Sequence, residues 1–200
     1  VAQLESQGTH FVRWGAPDKD HPGVSIGCDN YQGGQSITEH LIALGKKTFA
    51  FIGDNGVHAP EFMARYRGYN DTLKKHNLTA KSVQRNAIST EDDGSDAVRS
   101  LIACNELPEA IVCASDLIAM GALRALRRSN INVPQDVAVV GYDNIAVSAY
   151  TTPALSTVQQ NTNLAGELLV DTLLRAINNE KVEDYLMPAD IIIRQSCGSD

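Results

Sequence analysis

The sequence predicts an α/β fold built on a parallel sheet, and three observations carry the prediction. Short apolar runs alternate with helical stretches along most of the chain, the rhythm of strand–helix–strand units. The run Val137–Val140 is apolar at every position, as a strand buried on both faces has to be. Gly141-Tyr142-Asp143 follows, so a carboxylate stands where that strand hands over to a loop. The carboxyl ends of parallel strands open into the ligand crevice of such folds.

The elements follow in order. Phe11–Trp14 reads as an apolar strand and Val24–Cys28 as a second, with a polar loop, 16–22, between them. Tyr31–Leu44 carries Ile37, Leu41 and Leu44 at helical spacing, with Gly45 as its stop. Thr48–Ile52 is the next strand. Glu61–His76 places Phe62, Tyr66, Tyr69 and Leu73 on one helical stripe. A weak strand at Ser82–Ala87 precedes Thr90-x-x-Asp93, which resembles a capping box and opens a helix through Ala97, Leu101 and Ile102. Ala110–Ala114 is a strand, and Ser115 or Asp116 caps a helix running to about Arg128. Leu164–Ile177 is an amphipathic helix, and Tyr185–Ile193 a final extended stretch.

Composition narrows the function. With 200 residues, 43% of them hydrophobic, the chain can bury a substantial core. Its formal net charge of −7 leaves it without the electrostatic footprint of a nucleic-acid binder. The one local basic cluster, Arg124, Arg127 and Arg128, suits the solvated last turn of a helix. Cys28, Cys104, Cys113 and Cys197 form no Cys-x-x-Cys pair and read as buried free thiols of a reducing compartment. There is no apolar run of the ~18 residues that a membrane span needs, and no signal peptide is visible. The five histidines show no His-x-x-x-His spacing, so no metal ligation is expected; no cofactor is expected either.

The candidate chemistry is that of binding. Gly23-Val24-Ser25-Ile26-Gly27 has the form of a hydrolase nucleophile elbow, but Ser25 lies inside its strand rather than at a strand-to-helix turn. Gly53-Asp54-Asn55-Gly56 is no phosphate-binding loop and reads as a strand-end loop. Asp143 either accepts hydrogen bonds from a ligand or caps a turn or helix that follows it. Arg65 is either an exposed arginine or a guanidinium fork aimed at hydroxyls or a carboxylate. Glu61 precedes it by one turn. Ser89 and Ser115 stand at strand ends, Asp116 reads as a helix N-cap, and Trp14 is either a stacking face or ordinary core.

Six segments in order resemble the lactose/galactose repressor family of bacterial transcription regulators. They are Asp29-Asn30 with Gly33-Gly34; His40-Leu41-Ile42 with Gly45; Phe51-Ile52-Gly53; Arg65-Tyr66-Arg67-Gly68-Tyr69; Ser115 to Ala122; and Val133-Pro134-Gln135-Asp136 through Gly141-Tyr142-Asp143-Asn144 to Thr152-Pro153-Ala154-Leu155-Ser156-Thr157. The resemblance covers essentially the whole chain. It implies a periplasmic-binding-protein-like architecture of two hinged, Rossmann-like subdomains with parallel sheets. Crossovers would fall near Asp29–Tyr31, Val158–Asn161 and Met187–Ile191. Residues 31–158 with 189–200 would form the C-terminal subdomain, and 1–30 with 159–188 an incomplete N-terminal one with an exposed sheet edge. The family's helix-turn-helix has no counterpart here.

The resemblance also implies a function: the sensing core of a cytoplasmic repressor, with a sugar or sugar derivative bound in the cleft between subdomains. A purine is the second choice of effector, and a periplasmic sugar-binding protein of a transporter is the alternative class. In the family's pattern Arg65 and Asp143 contact the effector, and Arg65→Ala is expected to abolish the response without harming the fold. Glu61, Ser115, Ser89 and Trp14 complete the expected pocket. Met120, Ala149 and Tyr150 fall at the expected homodimer interface. Operator DNA would be bound only through the absent N-terminal domain.

Overall fold

The apolar runs Phe49–Ile52 and Ala110–Cys113 form strands buried at every position, and Ala138–Asp143 is buried through its first five. In the computed structural model, which describes residues 2–17, 23–54, 56, 59–79 and 82–199, the elements run in this order. They are α1 (Ala2–Ser6), β1 (Val12–Trp14), β2 (Val24–Cys28), α2 (Asn30–Ala43), β3 (Phe49–Ile52), α3 (Pro60–Lys75), β4 (Ser82–Arg85), α4 (Glu91–Ala103), β5 (Ala110–Cys113), α5 (Asp116–Arg128), β6 (Ala138–Asp143), β7 (Ser156–Gln159), α6 (Thr162–Ile177), β8 (Tyr185–Met187) and β9 (Asp190–Ile192). Short 3₁₀ turns occupy Ala146–Tyr150 and Gln195–Cys197. Most of the expected loop 16–22 lies outside the described residues, as does Asn55.

The chain divides into two units. The larger, Asn30–Gln160 with Asp190–Asp200, holds a six-stranded sheet in the order β4-β3-β5-β6-β7-β9. All pairings are parallel except that of β9 with β7. The first strand, β3, is flanked by β4 on one side and β5 on the other, so the winding reverses between β3 and β5. That reversal is the topological switch point at which doubly wound sheets open a crevice.

Helix ends are set locally. Thr90, Ser115 and Asn161 accept the backbone N–H groups of Asp93, Ile118 and Leu164, capping α4, α5 and α6. Helix α3 instead begins on Pro60, whose missing N–H costs nothing there. At the other end five helices stop alike. Gly45, Asn77, Asn105, Asn130 and Asn179 take positive φ. The next residue's N–H closes back on the last turn, as Leu78 does on the Leu73 carbonyl and Ile131 on that of Leu126.

The core of the larger unit centres on Phe49, Phe51, Ile52, Ile111, Leu101, Ile118 and Leu126, each at most 1% exposed. Burying one such side chain stabilises by about 1.5–3 kcal/mol. Helix α2 packs on α3 and α4 on α5. The first crossing is close because a Cβ at Gly34 would overlap the Arg65 carbonyl and one at Gly68 that of Tyr31. Those two glycines therefore fix where Arg65 leaves its helix.

The smaller unit, Val1–Asp29 with Asn161–Ala189, holds three parallel strands in the order β1-β2-β8. Helix α6 is amphipathic by sequence, yet it buries little beyond Ala165 and Thr172; Val170, Leu174 and Ile177 are exposed. The cysteines are all free, and three are buried; Cys104 is exposed, contrary to the expectation of a buried thiol. Among the described residues no cluster of three metal-ligating side chains occurs, and no helix is long and apolar enough to cross a membrane.

Candidate functional site

Arg65 stands at the switch point. It rises from α3, the helix after β3, and its Nη1 donates to the Ala114 carbonyl at the end of β5 at 2.5 Å. Nε donates to Asn30 Oδ1 at 2.8 Å, and Nη2 lies 3.3 Å from Asp143 Oδ1 at the end of β6. The guanidinium sits over the Tyr142 ring, 3.7 Å from its centroid, with Phe62 at 5.2 Å. Arg65 is therefore not an exposed arginine: it is 4% exposed. That overturns the expectation that Arg65→Ala would spare the fold, because this side chain joins α2, α3, β5 and β6.

Asp143 shares Oδ1 between Arg65 and the Gln160 amide, which donates at 2.6 Å. Its side chain keeps 30% of its exposure, against 5% for Arg65. Burial raises its pKa above the ordinary carboxylate value, opposed by Arg65 and Gln160. Asp143 and Asn144 both have positive φ, 109° and 53°, unusual for residues with a side chain. Asp143 thus ends a strand and starts a bend; it caps no helix.

Asp116 holds that bend from below. The structure makes Ser115 the N-cap, so the expectation that Asp116 caps the helix gives way to a different role. Asp116 is fully buried; Oδ1 accepts from the Thr157 hydroxyl at 2.6 Å and Oδ2 from the Ile145 N–H at 2.9 Å. Burial pushes its pKa up to about 6, against the pull of those two hydrogen bonds. A Cβ at Gly141 would overlap the Asp116 carboxylate, so glycine is required there. Arg194 secures the far side, donating to Asn144 Oδ1 at 2.7 Å and to the Leu155 carbonyl at 2.6 Å.

The other expected residues are placed less centrally. Ser89 and Ser115 meet, Oγ to Oγ, at 3.1 Å, but Ser115 is 2% exposed and occupied as the cap. Glu61 is half-buried in the first turn of α3 and has no hydrogen bond or ion pair among the described residues. Trp14 belongs to the smaller unit and is 46% exposed on β1, so it is not ordinary core. Ser25 is fully buried mid-strand, and among the described residues no base accepts from its hydroxyl. Met120 is half-buried and Ala149 exposed, while Tyr150 is 84% exposed. Met120, Arg124, Arg127, Arg128, Thr151 and Thr152 line a surface groove of about 460 Å³. Asn30, Tyr142, Gln160, Asp116, Thr157 and Arg194 were not read as site residues from the sequence.

A doubly wound sheet with a polar cluster at its switch point defines the class. The chain belongs to the periplasmic binding protein-like domain family, matched over residues 38–197, in its lactose/galactose repressor branch. The HTH-type transcriptional regulator RegA of Clostridium saccharobutylicum is 33% identical over 184 residues, 90% of this chain and 55% of that one. The HTH-type transcriptional repressor PurR of Glaesserella parasuis serovar 5 (strain SH0165) is 29% identical over 193 residues, covering 92% and 56%. The solved structure of the transcriptional regulator CelR–cellobiose complex aligns with a TM-score of 0.86 at 30% identity, covering 96% and 60%. The chain thus spans little more than half the length of these relatives.

Proposed function

We propose that this chain is the effector-sensing core of a bacterial transcriptional repressor, and that it binds a neutral, hydroxyl-rich small molecule, a sugar or sugar derivative, against Arg65 and Asp143. The observation that carries the reading is the unspent hydrogen-bonding capacity of the pair. A guanidinium has five N–H groups; Asn30, Ala114 and Asp143 engage three, leaving two. Asp143 Oδ1 is taken by Arg65 and Gln160, while Oδ2 has no partner among the described residues. A hydroxyl both accepts and donates, so adjacent hydroxyls bridge such a donor–acceptor pair. Because Asp143 already balances the Arg65 charge, an anionic ligand gains little and meets a carboxylate. A purine is disfavoured too, since the guanidinium already covers the Tyr142 face that would stack it.

Several further readings go with this one. The relatives are regulators, which favours a repressor core over the binding protein of a transporter and over an enzyme, and hence a cytoplasmic site of action. Glu61 and Ser89 are secondary contacts. The two units correspond to the family's two subdomains, and the exposed apolar side of α6 is covered by the rest of the smaller one. Exposed Tyr150 and Ala149, with Met120, form the contact to a second copy, and operator DNA is bound through a helix-turn-helix of the kind the relatives carry.

Thermal shift of the purified chain against neutral sugars, sugar acids and hypoxanthine tests the ligand class. A neutral sugar is expected to raise the melting temperature, and Asp143→Asn to remove the rise. A response to hypoxanthine or a sugar acid alone overturns the reading.

A further inference from the structure

We propose that Asp116 is the positioning residue of this site: its carboxylate holds the left-handed bend at Asp143-Asn144 that presents Asp143, and through Ile145 ties that bend to the 3₁₀ turn Ala146–Tyr150. The functional meaning of this bracing rests on Asp143 being a ligand contact; the geometry stands by itself.

Two consecutive non-glycine residues at positive φ persist only when the surroundings over-determine them. Asp116 supplies two of the restraints. It takes the Ile145 N–H directly, and through Thr157 Oγ1, which accepts the Asn144 N–H at 3.3 Å, it reaches the preceding peptide. Arg194 supplies a third on the Asn144 side chain. Ile145 is the residue on which the turn Ala146–Tyr150 begins, and Ser148 N–H closes on the Ile145 carbonyl. One carboxylate at the start of α5 therefore fixes both the residue offered to ligand and the turn that carries exposed Ala149 and Tyr150. The groups facing it are the Cys113 thiol from β5, Asp143 from β6, Thr157 from β7 and Arg194 from the C-terminal segment. None is a cation in direct contact, so the hydrogen bonds, not an ion pair, define its role.

The test is NMR on the ligand-free 200-residue chain with Asp116→Ala, Asp116→Asn and Thr157→Val. In Asp116→Ala the Ile145 amide is expected to exchange at least about tenfold faster, because a charge-assisted hydrogen bond is lost. The Asp143 carboxyl resonance and the Arg65 Nε–H signal should shift with it. Asp116→Asn should restore all three, since its Oδ1 can accept from Ile145 and its Nδ2 can donate to Thr157. Thr157→Val, which keeps the branched shape, should give the same changes in weaker form and serves if Asp116→Ala does not fold. A folded Asp116→Ala, or failing that Thr157→Val, whose Asp143 and Arg65 signals match the parent overturns the proposal. Sugar binding that survives alongside such unchanged signals leaves the ligand reading standing. Signals that shift in a chain no sugar stabilises sink the ligand reading alone.

Discussion

Neutralising Asp116 should make the protein more stable at neutral pH. The folded-state pKa of Asp116 is raised from 3.8 to about 6, so the folded chain holds this proton more tightly than the unfolded chain does. Stability from that proton is fully present below pH 3.8 and is lost as pH rises to about 6. At 1.36 kcal/mol per pKa unit, the loss is about 3 kcal/mol, complete by pH 7. Asp143 adds a change of the same sign, because its pKa is also raised. Asp116→Asn cannot titrate and keeps both hydrogen bonds by presenting oxygen to Ile145 and the amide to Thr157. Urea unfolding followed by circular dichroism, at several pH values from 4 to 8, measures the difference between variant and parent. That difference should be near zero at pH 4 and rise to about 1–3 kcal/mol in favour of the variant at pH 7. A flat difference curve, or a parent more stable than Asp116→Asn at pH 7, refutes the reasoning, since either means that the buried charge is stabilised by something other than the two hydrogen bonds seen.

Other outcomes follow from the same geometry. Arg65→Ala removes the hydrogen bonds to the Asn30 amide oxygen and the Ala114 carbonyl and leaves Asp143 with the Gln160 amide but no cation, and should cost about 2–4 kcal/mol in urea unfolding as well as any sugar-induced thermal shift; a variant as stable as the parent contradicts the bracing role. Gly68→Ala drives a methyl into the Tyr31 carbonyl and should destabilise by about 1–3 kcal/mol, read as a lower melting temperature. The acidic chain, with a formal net charge of −7, should show no sequence-specific retention of duplex DNA in a gel shift at moderate salt. Sedimentation should find a dimer that Tyr150→Asp weakens at least about tenfold; a monomer at high micromolar concentration, or a dimer indifferent to the change, counts against that face.

Most of the fold was legible because its strands are buried on both sides. Ala110–Cys113 and Val137–Val140 admit no polar residue, and that pattern has few other readings. Helix starts were legible where a side chain makes the cap, as at Thr90 and Ser115. Helix ends near His76, Arg128 and Ile177 were read to within a residue, but the residue that makes the stop was recognised only at Gly45: Asn77, Asn105, Asn130 and Asn179 do the same work, yet asparagine also sits in turns and caps, so alone it marks no end. The solvent side of α6 was not legible either, because an apolar stripe says that a face can be buried, not that it is.

The site shows the sharper limit. Arg65 and Asp143 could be singled out from their motifs, but their state could not, because it depends on contacts between residues 17 to 78 positions apart. Asp116 was misread for the same reason. An aspartate after an apolar strand, at the head of a helix, fits an N-cap by every local rule. Only the register of β5, β6 and β7 brings Thr157 and Ile145 to it and leaves Ser115 to cap the helix. The clue that was present is Gly141. A glycine inside an otherwise apolar strand marks a place where something approaches closely, and what approaches here is the Asp116 carboxylate. A buried carboxylate whose pKa is pushed toward 6 costs the fold stability that an asparagine would spare. Its retention beside two left-handed residues at the end of β6 is understandable if the shape of that bend, rather than stability, is what the sequence specifies there.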